Sequence, residues 1–127
     1  MDVVGVGTEI VDCLRVGRMI EQHGETFLAR VYTAGEIRDC QSRRRATEQF
    51  AARWAAKEAV FKALGTPWRR GIEWTDVEVQ QEAGGVPRVV LSGATADAAR
   101  EAGVVAIHLS LAHCRAYATA YALAVRA

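Results

Sequence analysis

The sequence lacks the usual features of secreted, membrane-spanning and nucleic-acid-binding proteins. It contains only three cysteines, Cys13, Cys40 and Cys114, an odd number without the spacing of a disulfide framework. We therefore expect a reducing, cytoplasmic compartment, in which these cysteines fill the core rather than act as nucleophiles. The opening MDVVGVGTEIVD has no basic start and is too short to cross a membrane, so it predicts neither a signal peptide nor an anchor. A formal net charge of +1 gives no overall field that would attract nucleic acid or a membrane surface.

Internal repeats, low-complexity tracts and linkers are also missing, which favours one continuous fold. The 127 residues, 50% hydrophobic and 24% charged, suffice for one globular domain with a modest core. We predict a single domain over residues 1–127.

The stretch 47–66, TEQFAARWAAKEAVFKALGT, predicts a long helix that organises the rest of the chain. Thr47 can cap its start, Gly65 with Pro67 can end it, and the alanines between them are strong helix formers. Apolar side chains occur on nearly every side of this helix, which is typical of a buried helix.

Two charged residues of this helix, Glu58 and Lys62, lie four apart and therefore share a face. The rest of that face is small: Ala51, Ala55 and Gly65. Small residues let another backbone or a ligand come close, and a buried Glu and Lys both need partners. The pattern fits a functional site, but from helix pattern alone an ordinary structural ion pair between Glu58 and Lys62 is the more common case.

Residues 3–11 are rich in β-branched side chains and include two glycines, a pattern that predicts a strand. We reject a dinucleotide-binding fingerprint, because Ile10 stands where a third glycine is required and no acidic residue follows a second strand at the right distance. Gly7 instead predicts a close backbone approach beside Glu9, with room for a ligand. Glu9 itself could be a site carboxylate or a solvated residue on an edge strand.

Further elements follow from local patterns. We predict helices over 13–23, 34–41 and 93–102, a short segment over 27–31, and strands over 74–80, 88–91, 104–111 and 117–125. Asp12 and Gly24 bound the first helix, and Thr33 with Glu36 has capping-box spacing. A turn at Gly84-Gly85 joins two of the strands into an antiparallel pair.

The cationic side chains have two interpretations each. Arg15 and Arg18 could form a solvated face or a dock for an acidic partner. Arg43, Arg44 and Arg45 could be solvated or could hold a phosphate.

The histidines do not form a recognisable site by themselves. We interpret His108 as a core histidine and place His113 in a turn two residues past its strand. The order of residues gives no Ser–His–Asp triad, and the three histidines lack the spacing of a zinc site.

Three motifs resemble those of the holo-acyl-carrier-protein synthases, the short type of 4′-phosphopantetheinyl transferase. They are GVGTEIVD at 5–12, FAARWAAKEA at 50–59 followed by KALGT at 62–66, and HLSLAH at 108–113. The second is similar to the family's W/F-A-x-K-E-A-x-x-K-A helix, and the third to its H-x-S-x-x-H strand end. The motifs occur in the family's order, and the resemblance covers nearly the whole chain.

This resemblance implies a fold and a reaction. The fold is α+β, with an antiparallel sheet packed on a long central helix. The reaction is Mg²⁺-dependent transfer of 4′-phosphopantetheine from coenzyme A to a serine of an apo acyl carrier protein in fatty acid biosynthesis, releasing 3′,5′-ADP. The implied metal ligands are Glu9 and Glu58, and the implied catalytic residues are Glu58 and Lys62. Lys62 would neutralise phosphate charge, and either Glu58 or a metal-held water would take the serine proton.

The resemblance also implies binding roles and an assembly. Arg44 and Arg45 would hold the 3′-phosphate of coenzyme A, and Arg15 would meet the acidic helix of the carrier. Segments lining the nucleotide would be Gly65-Thr66, Gly85 to Pro87, and His113. The family forms homotrimers with sites between subunits.

The sequence departs from the family at Glu9, where Asp is usual, and at Pro67, where Gly is usual. The longer Glu9 side chain implies a strand set farther back, binding through water, or weaker metal binding, because Mg²⁺ tolerates little distortion. Two alternatives stay open: a transferase for a specialised polyketide-type carrier, and a coenzyme A-binding scaffold without turnover.

Overall fold

The computed structural model describes residues 1–65, 71–81 and 84–127, so the predictions for Thr66 and Pro67 lie outside the described residues. The strands are β1 (Asp2–Asp12), β2 (Val77–Gln80), β3 (Arg88–Leu91), β4 (Val104–His113) and β5 (Tyr117–Arg126). The helices are α1 (Cys13–Val31), α2 (Ala34–Gln41), α3 (Ala46–Leu64) and α4 (Gly93–Glu101), with a short 3₁₀ turn at Trp74–Asp76.

The strands form two antiparallel sheets, as the predicted α+β class requires. The larger sheet has the order β1-β5-β4, and the smaller one is the predicted β2-β3 hairpin. Within the larger sheet Glu9 of β1 lies opposite Ala120 of β5, which places Glu9 on an edge strand. The sheet packs on α3, and this confirms the predicted architecture of an antiparallel sheet on a central helix.

The contact between α3 and the sheet is unusually close because both surfaces are built from small residues. The face of β5 toward α3 is entirely alanine, and all four side chains are buried: Ala118, Ala120, Ala122 and Ala124. On β1, a Cβ atom at Gly7 would lie 1.8 Å from the carbonyl oxygen of Ala59, and one at Gly5 would lie 2.0 Å from that of Ala63. The predicted close approach at Gly7 is therefore confirmed. The expected room for a ligand there is wrong, because the α3 backbone occupies it.

The first helix is longer than predicted. Gly24 has non-helical angles (φ 52°, ψ −133°), so the predicted break is present, but helical structure resumes after it and continues to Val31. Phe27, Leu28 and Val31 are buried against the start of α3. Their packing explains why the segment is helical although its local pattern is weak.

Other boundaries also differ from the predictions. The N-cap of α3 is Arg45, in a left-handed conformation and without a side-chain cap, rather than Thr47. Residues 74–76 form the 3₁₀ turn instead of the start of a strand. His113 is the last residue of β4 rather than part of a turn. His108 is exposed on β4 instead of buried, and Cys114, unlike the other two cysteines, is also exposed.

A buried ion pair that the sequence did not reveal connects three elements. The ammonium of Lys57 on α3 lies 2.7 Å from Glu36 of α2, and both side chains are almost fully inaccessible. Lys57 also donates to the carbonyls of Trp74 and Val77, and Glu36 accepts from the Val79 amide at 2.8 Å. These partners compensate the cost of burying both charges, and they fix the rotation of α3 against α2 and β2.

Candidate functional site

Glu9, Glu58 and Lys62 meet where β1 crosses α3. Glu9 projects from the edge strand, two residues after the glycine that lets the strand approach the helix. Lys62 donates to the carbonyl oxygen of Thr8 at 3.0 Å, and its ammonium lies 3.2 Å from Glu9. The ion pair on this face thus joins Lys62 to Glu9 across two elements, whereas the predicted structural alternative was a Glu58–Lys62 pair. The expected burial of Lys62 is wrong, because its side chain is 51% exposed; Glu58 is half-buried.

A cavity of about 340 Å³ opens beside the two carboxylates. Glu9 and Glu58 lie in its wall, together with Arg15 and Val16 from α1 and Trp54 from α3. The predicted docking arginine therefore belongs to the same opening as the predicted metal ligands. Arg18, further along α1, is also exposed.

Burial and mutual proximity separate the pKa values of the two carboxyl groups. Burial raises the pKa of Glu58, and a hydrogen bond to Glu9 raises it further, whereas the Trp54 indole opposes this shift. Burial also acts to raise the pKa of Glu9, but hydrogen bonds from Glu58, Lys62 and the Ile10 amide outweigh it and lower the pKa. This is the behaviour of two carboxyl groups that share one proton.

The donor set fits a hard divalent cation. A cation placed between the two carboxylates would replace their shared proton, and carboxylate oxygens are the protein ligands that Mg²⁺ prefers. Among the described residues there is no group of three or more His, Cys, Asp or Glu side chains that could hold a metal. Mg²⁺ commonly completes its shell with water and phosphate oxygens, so two protein carboxylates are sufficient for this ion.

A second cluster lies near the start of α3. His113, at the end of β4, places its Nδ1 atom 3.2 Å from a carboxylate oxygen of Glu48, and the Nε atom of Arg45 lies 3.8 Å from the other oxygen. Arg45 has φ 57° and is the only non-glycine residue with positive φ in the part of the chain that the structure describes. A left-handed arginine is strained by about 1–3 kcal/mol, and such strain is concentrated at functional sites.

Arg45 and His113, both predicted to contact the nucleotide, are thus brought together by Glu48. Arg44 is exposed beside them. Arg43 is an exception to the solvated interpretation, because it pairs with Asp39 at 3.1 Å and donates to the Gln81 carbonyl at 2.7 Å.

The two clusters are well separated within one chain. Glu48 and Glu58 are ten residues apart on α3, which corresponds to about 15 Å along the helix axis. Gly65 ends α3 with φ 64°, about one turn beyond Lys62 and at the opposite end of the helix from Arg45 and Glu48. Pro87 lies in the β2–β3 connection and contacts neither cluster through any described hydrogen bond.

Three residues have contacts that the sequence did not predict: Trp54 and Glu48 in these clusters, and Lys57 in the buried ion pair with Glu36. Trp54 donates from its indole nitrogen to Glu58 at 3.1 Å, and their spacing of four residues on a helix could have indicated this contact. Glu48 has a similar signal, three residues after Arg45. The contact of Lys57 had no local sequence signal, since its partner Glu36 lies on another helix.

Comparison with known proteins agrees with the motifs. Residues 5–125 match the family described as the 4′-phosphopantetheinyl transferase superfamily. A holo-[acyl-carrier-protein] synthase of Rhodopirellula baltica is 54% identical over 121 residues, which are 95% of this chain and 96% of that protein. The crystal structure of the Neisseria meningitidis synthase has a TM-score of 0.89 at 27% identity, covering 98% of this chain and 100% of the other. The Bacillus anthracis synthase, solved in complex with coenzyme A (3′,5′-ADP), has a TM-score of 0.79 at 28% identity, with 98% of both chains covered. By sequence and by fold, this chain belongs to the 4′-phosphopantetheinyl transferase superfamily, among the holo-[acyl-carrier-protein] synthases.

Proposed function

We propose that this protein transfers 4′-phosphopantetheine from coenzyme A to a serine of an acyl carrier protein, with release of 3′,5′-ADP. The observation that carries the proposal is the meeting of Glu9, Glu58 and Lys62 beside an open cavity. Two carboxylates that share a proton and an adjacent exposed ammonium form a site for a cation and a polyphosphate together.

In this reaction the serine oxygen forms a bond to the phosphorus that carries pantetheine, and the pyrophosphate bond to the nucleotide breaks. Lys62, which is half exposed and one turn from Glu58, balances the charge that develops on the departing phosphate. Either Glu58 or a water held by the cation would accept the serine proton. Mg²⁺, held by Glu9 and Glu58, would neutralise the pyrophosphate oxygens when bound.

The second cluster supports recognition of the 3′-phosphate. Arg44 and Arg45 have guanidinium groups, each of which can bind two phosphate oxygens at once. His113 is close to Arg45 because both contact the Glu48 carboxylate. The 3′-phosphate and the reacting pyrophosphate belong to the same ribose and lie closer together than the roughly 15 Å between the two clusters of one chain.

This separation supports a homotrimer with sites between subunits. A neighbouring copy could place its second cluster beside the first cluster of this chain. The larger sheet also has an apolar outer face, turned away from α3, that a copy could cover: Val6, Ile10 and Tyr121, each more than 60% exposed. We call these three residues the outer sheet face.

Arg15 and Arg18 support docking of the carrier on α1. Both are exposed, and Arg15 borders the cavity that contains the carboxylates. A carrier bound to these arginines through acidic side chains would present its serine at the proposed reaction centre.

The cytoplasmic location is part of the same proposal. Cys13, Cys40 and Cys114 are all free, which supports a reducing compartment. Within the described ranges, no helix combines the length and the apolar character needed to cross a bilayer.

The decisive experiment is incubation of an apo acyl carrier protein with coenzyme A, Mg²⁺ and this protein, followed by mass spectrometry of the carrier. We expect the mass of one phosphopantetheine group to appear on the carrier.

Glu9→Gln should lower the rate sharply and weaken its dependence on Mg²⁺, because a neutral amide attracts the cation less. Glu9→Asp should keep substantial activity. Full turnover in excess chelator would disprove the metal assignment.

The same assay tests the two alternative functions. An unmodified carrier, with coenzyme A still bound to this protein, would indicate the scaffold without turnover. A panel of fatty-acid and polyketide-type carriers would identify which carrier is the substrate.

A further inference from the structure

Trp54 lies one helical turn before Glu58, and its indole Nε1 donates to Glu58 Oε1 at 3.1 Å. We propose that Trp54 is a positioning residue whose indole N–H orients the Glu58 carboxylate toward the cation. The inference rests on the proposed function, since it assumes that Glu58 is a metal ligand. It adds a role for a side chain that acts through Glu58 rather than on the substrate directly.

The indole ring packs against two other aromatic rings. Phe27 of α1 packs at a centroid distance of 5.4 Å, and Trp74 packs edge-to-face at 5.9 Å. Trp54 also forms part of the wall between two cavities, the one containing Glu9 and Glu58 and a groove of about 330 Å³ along α1. These aromatic contacts restrict the movement of the ring, so its N–H is a well-positioned donor to the carboxylate.

The polarity of the contact makes its direction unambiguous. An indole nitrogen can only donate, so it binds an oxygen of Glu58 and leaves the second oxygen for another partner. The hydrogen bond therefore fixes the orientation of the carboxylate, and outer-shell partners that orient a metal ligand in this way contribute to metal affinity.

The family's helix motif accepts Trp or Phe at this position, so Trp54→Phe removes the N–H while keeping an aromatic ring suited to the fold. We expect the dissociation constant for Mn²⁺, used as a probe for Mg²⁺ and measured from the EPR signal of the free ion, to increase about tenfold, because outer-shell partners of metal ligands contribute factors of 10–100. The Michaelis constant for coenzyme A should change much less than kcat. Phe27→Leu is the matched control, because it loosens the same aromatic packing but retains the indole donor, and it should raise the dissociation constant for Mn²⁺ much less than Trp54→Phe does.

The outcomes separate the possible roles. Equal Mn²⁺ affinity in Trp54→Phe and the parent would overturn the inference, and so would an equal loss in Trp54→Phe and Phe27→Leu, which would indicate packing alone. A parent that modifies the carrier but binds no Mn²⁺ would overturn the inference through the metal assignment and leave the transfer reaction intact.

A measurement on the unmodified protein does not depend on a folded variant. In protein labelled with ¹⁵N-tryptophan, the Trp54 indole resonance should shift as Mg²⁺ is added and should reach saturation together with activation. A Trp54 resonance that stays in place through saturating Mg²⁺ would contradict the proposal.

Discussion

At the scale of single residues, chemistry at the carboxylate cluster depends on two glutamates with opposite pKa shifts. Burial raises the pKa of Glu58, and the hydrogen bonds of Glu9 lower its pKa despite burial. A carboxyl group with a raised folded-state pKa destabilises the protein progressively as the pH rises above its unfolded value, whereas one with a lowered pKa stabilises the protein above that value. The two residues should therefore affect stability in opposite directions.

We predict that Glu58→Gln raises the melting temperature at pH 7 in chelator and abolishes most of the activity. The gain should shrink as the pH falls toward 4.5, because the parent Glu58 is then protonated and its penalty disappears. Glu9→Gln is the natural counterpart. It should lower the melting temperature at pH 7, and this loss should shrink as the pH falls below the ordinary pKa of glutamate and the parent Glu9 becomes protonated. Thermal unfolding of the parent and both variants across this range checks the prediction, and shifts of equal sign at pH 7 would contradict it.

The arginines before α3 give a second prediction at this scale. Replacing Arg44 and Arg45 with Ala should raise the Michaelis constant for coenzyme A at least tenfold, and that for dephospho-coenzyme A much less, because only the former carries the 3′-phosphate. Arg100→Ala removes an exposed arginine paired with Asp97 on α4 and should leave both constants unchanged. Similar increases for the two substrates would return Arg44 and Arg45 to the interpretation of solvated side chains.

At the scale of elements, the position of β1 on α3 determines where Glu9 can lie. Gly5 and Gly7 allow the strand to touch the helix backbone, and Glu9 follows on the same face because alternate residues of a strand share a face. The glycines thereby help to set the spacing between Glu9 and Glu58.

We predict that Gly7→Ala destabilises the protein by about 1–3 kcal/mol or more, since its Cβ would overlap the Ala59 carbonyl and force the two elements apart. Gly17→Ala, in the middle of α1, is the matched control. Its Cβ would make an ordinary contact at 3.4 Å, and Ala favours the helix, so stability should rise by about 0.5–1 kcal/mol. Urea unfolding measures both effects, and a Gly7→Ala protein as stable as the parent would rule out the tight contact.

Much of this arrangement could be predicted because local signals and motifs carry it. Both hydrogen bonds of the predicted capping box between Thr33 and Glu36 are present. Gly65 ends α3 in the left-handed conformation that a glycine favours. The Lys57–Glu36 pair could not be predicted, because it joins residues 21 positions apart that no helical or strand period relates. The helix after Gly24 was missed for a similar reason: long-range packing, rather than local propensity, stabilises it.

The roles of the site residues could be assigned only through the family motifs, although the helix pattern had already indicated Glu58 and Lys62 as a candidate site. From pattern alone a structural ion pair between these two residues was the more common case, and the contact of Lys62 with Glu9 crosses from helix to strand. The conformation of Arg45 could not be predicted either. Non-glycine residues rarely adopt the left-handed conformation, so nothing in the local sequence indicates it at this helix start.

At the scale of the whole molecule, surfaces rather than single contacts decide function. Net charge is +1, so attraction of an acidic carrier must come from a local patch. Arg15→Glu should raise the Michaelis constant for the carrier several-fold and leave the affinity for coenzyme A nearly unchanged. Kinetics measured at moderate salt with each substrate varied in turn provide the test, and an unchanged carrier constant would remove Arg15 from the docking surface.

The outer sheet face gives a prediction about assembly. Tyr121→Lys places a charge in the proposed contact between copies, and it should shift the sedimentation profile from trimer to monomer while the far-ultraviolet circular dichroism stays constant. Activity should fall together with the trimer if the second cluster of one copy completes the site of another. A fully active monomer would disprove the shared site.

The single domain over residues 1–127 stays a prediction. A single unfolding transition of the monomeric variant would support it.

The glycines of β1 also have a consequence at the level of the gene. Every glycine codon is GG followed by any base, and each single-base change that alters the amino acid introduces a side chain with a Cβ atom or a stop. Codons 5 and 7 therefore have no tolerated missense neighbour one nucleotide away, because any Cβ would overlap the α3 backbone. In a library made by error-prone replication, clones that yield soluble protein should be depleted of missense changes at codons 5 and 7 and should retain Gly17→Ala.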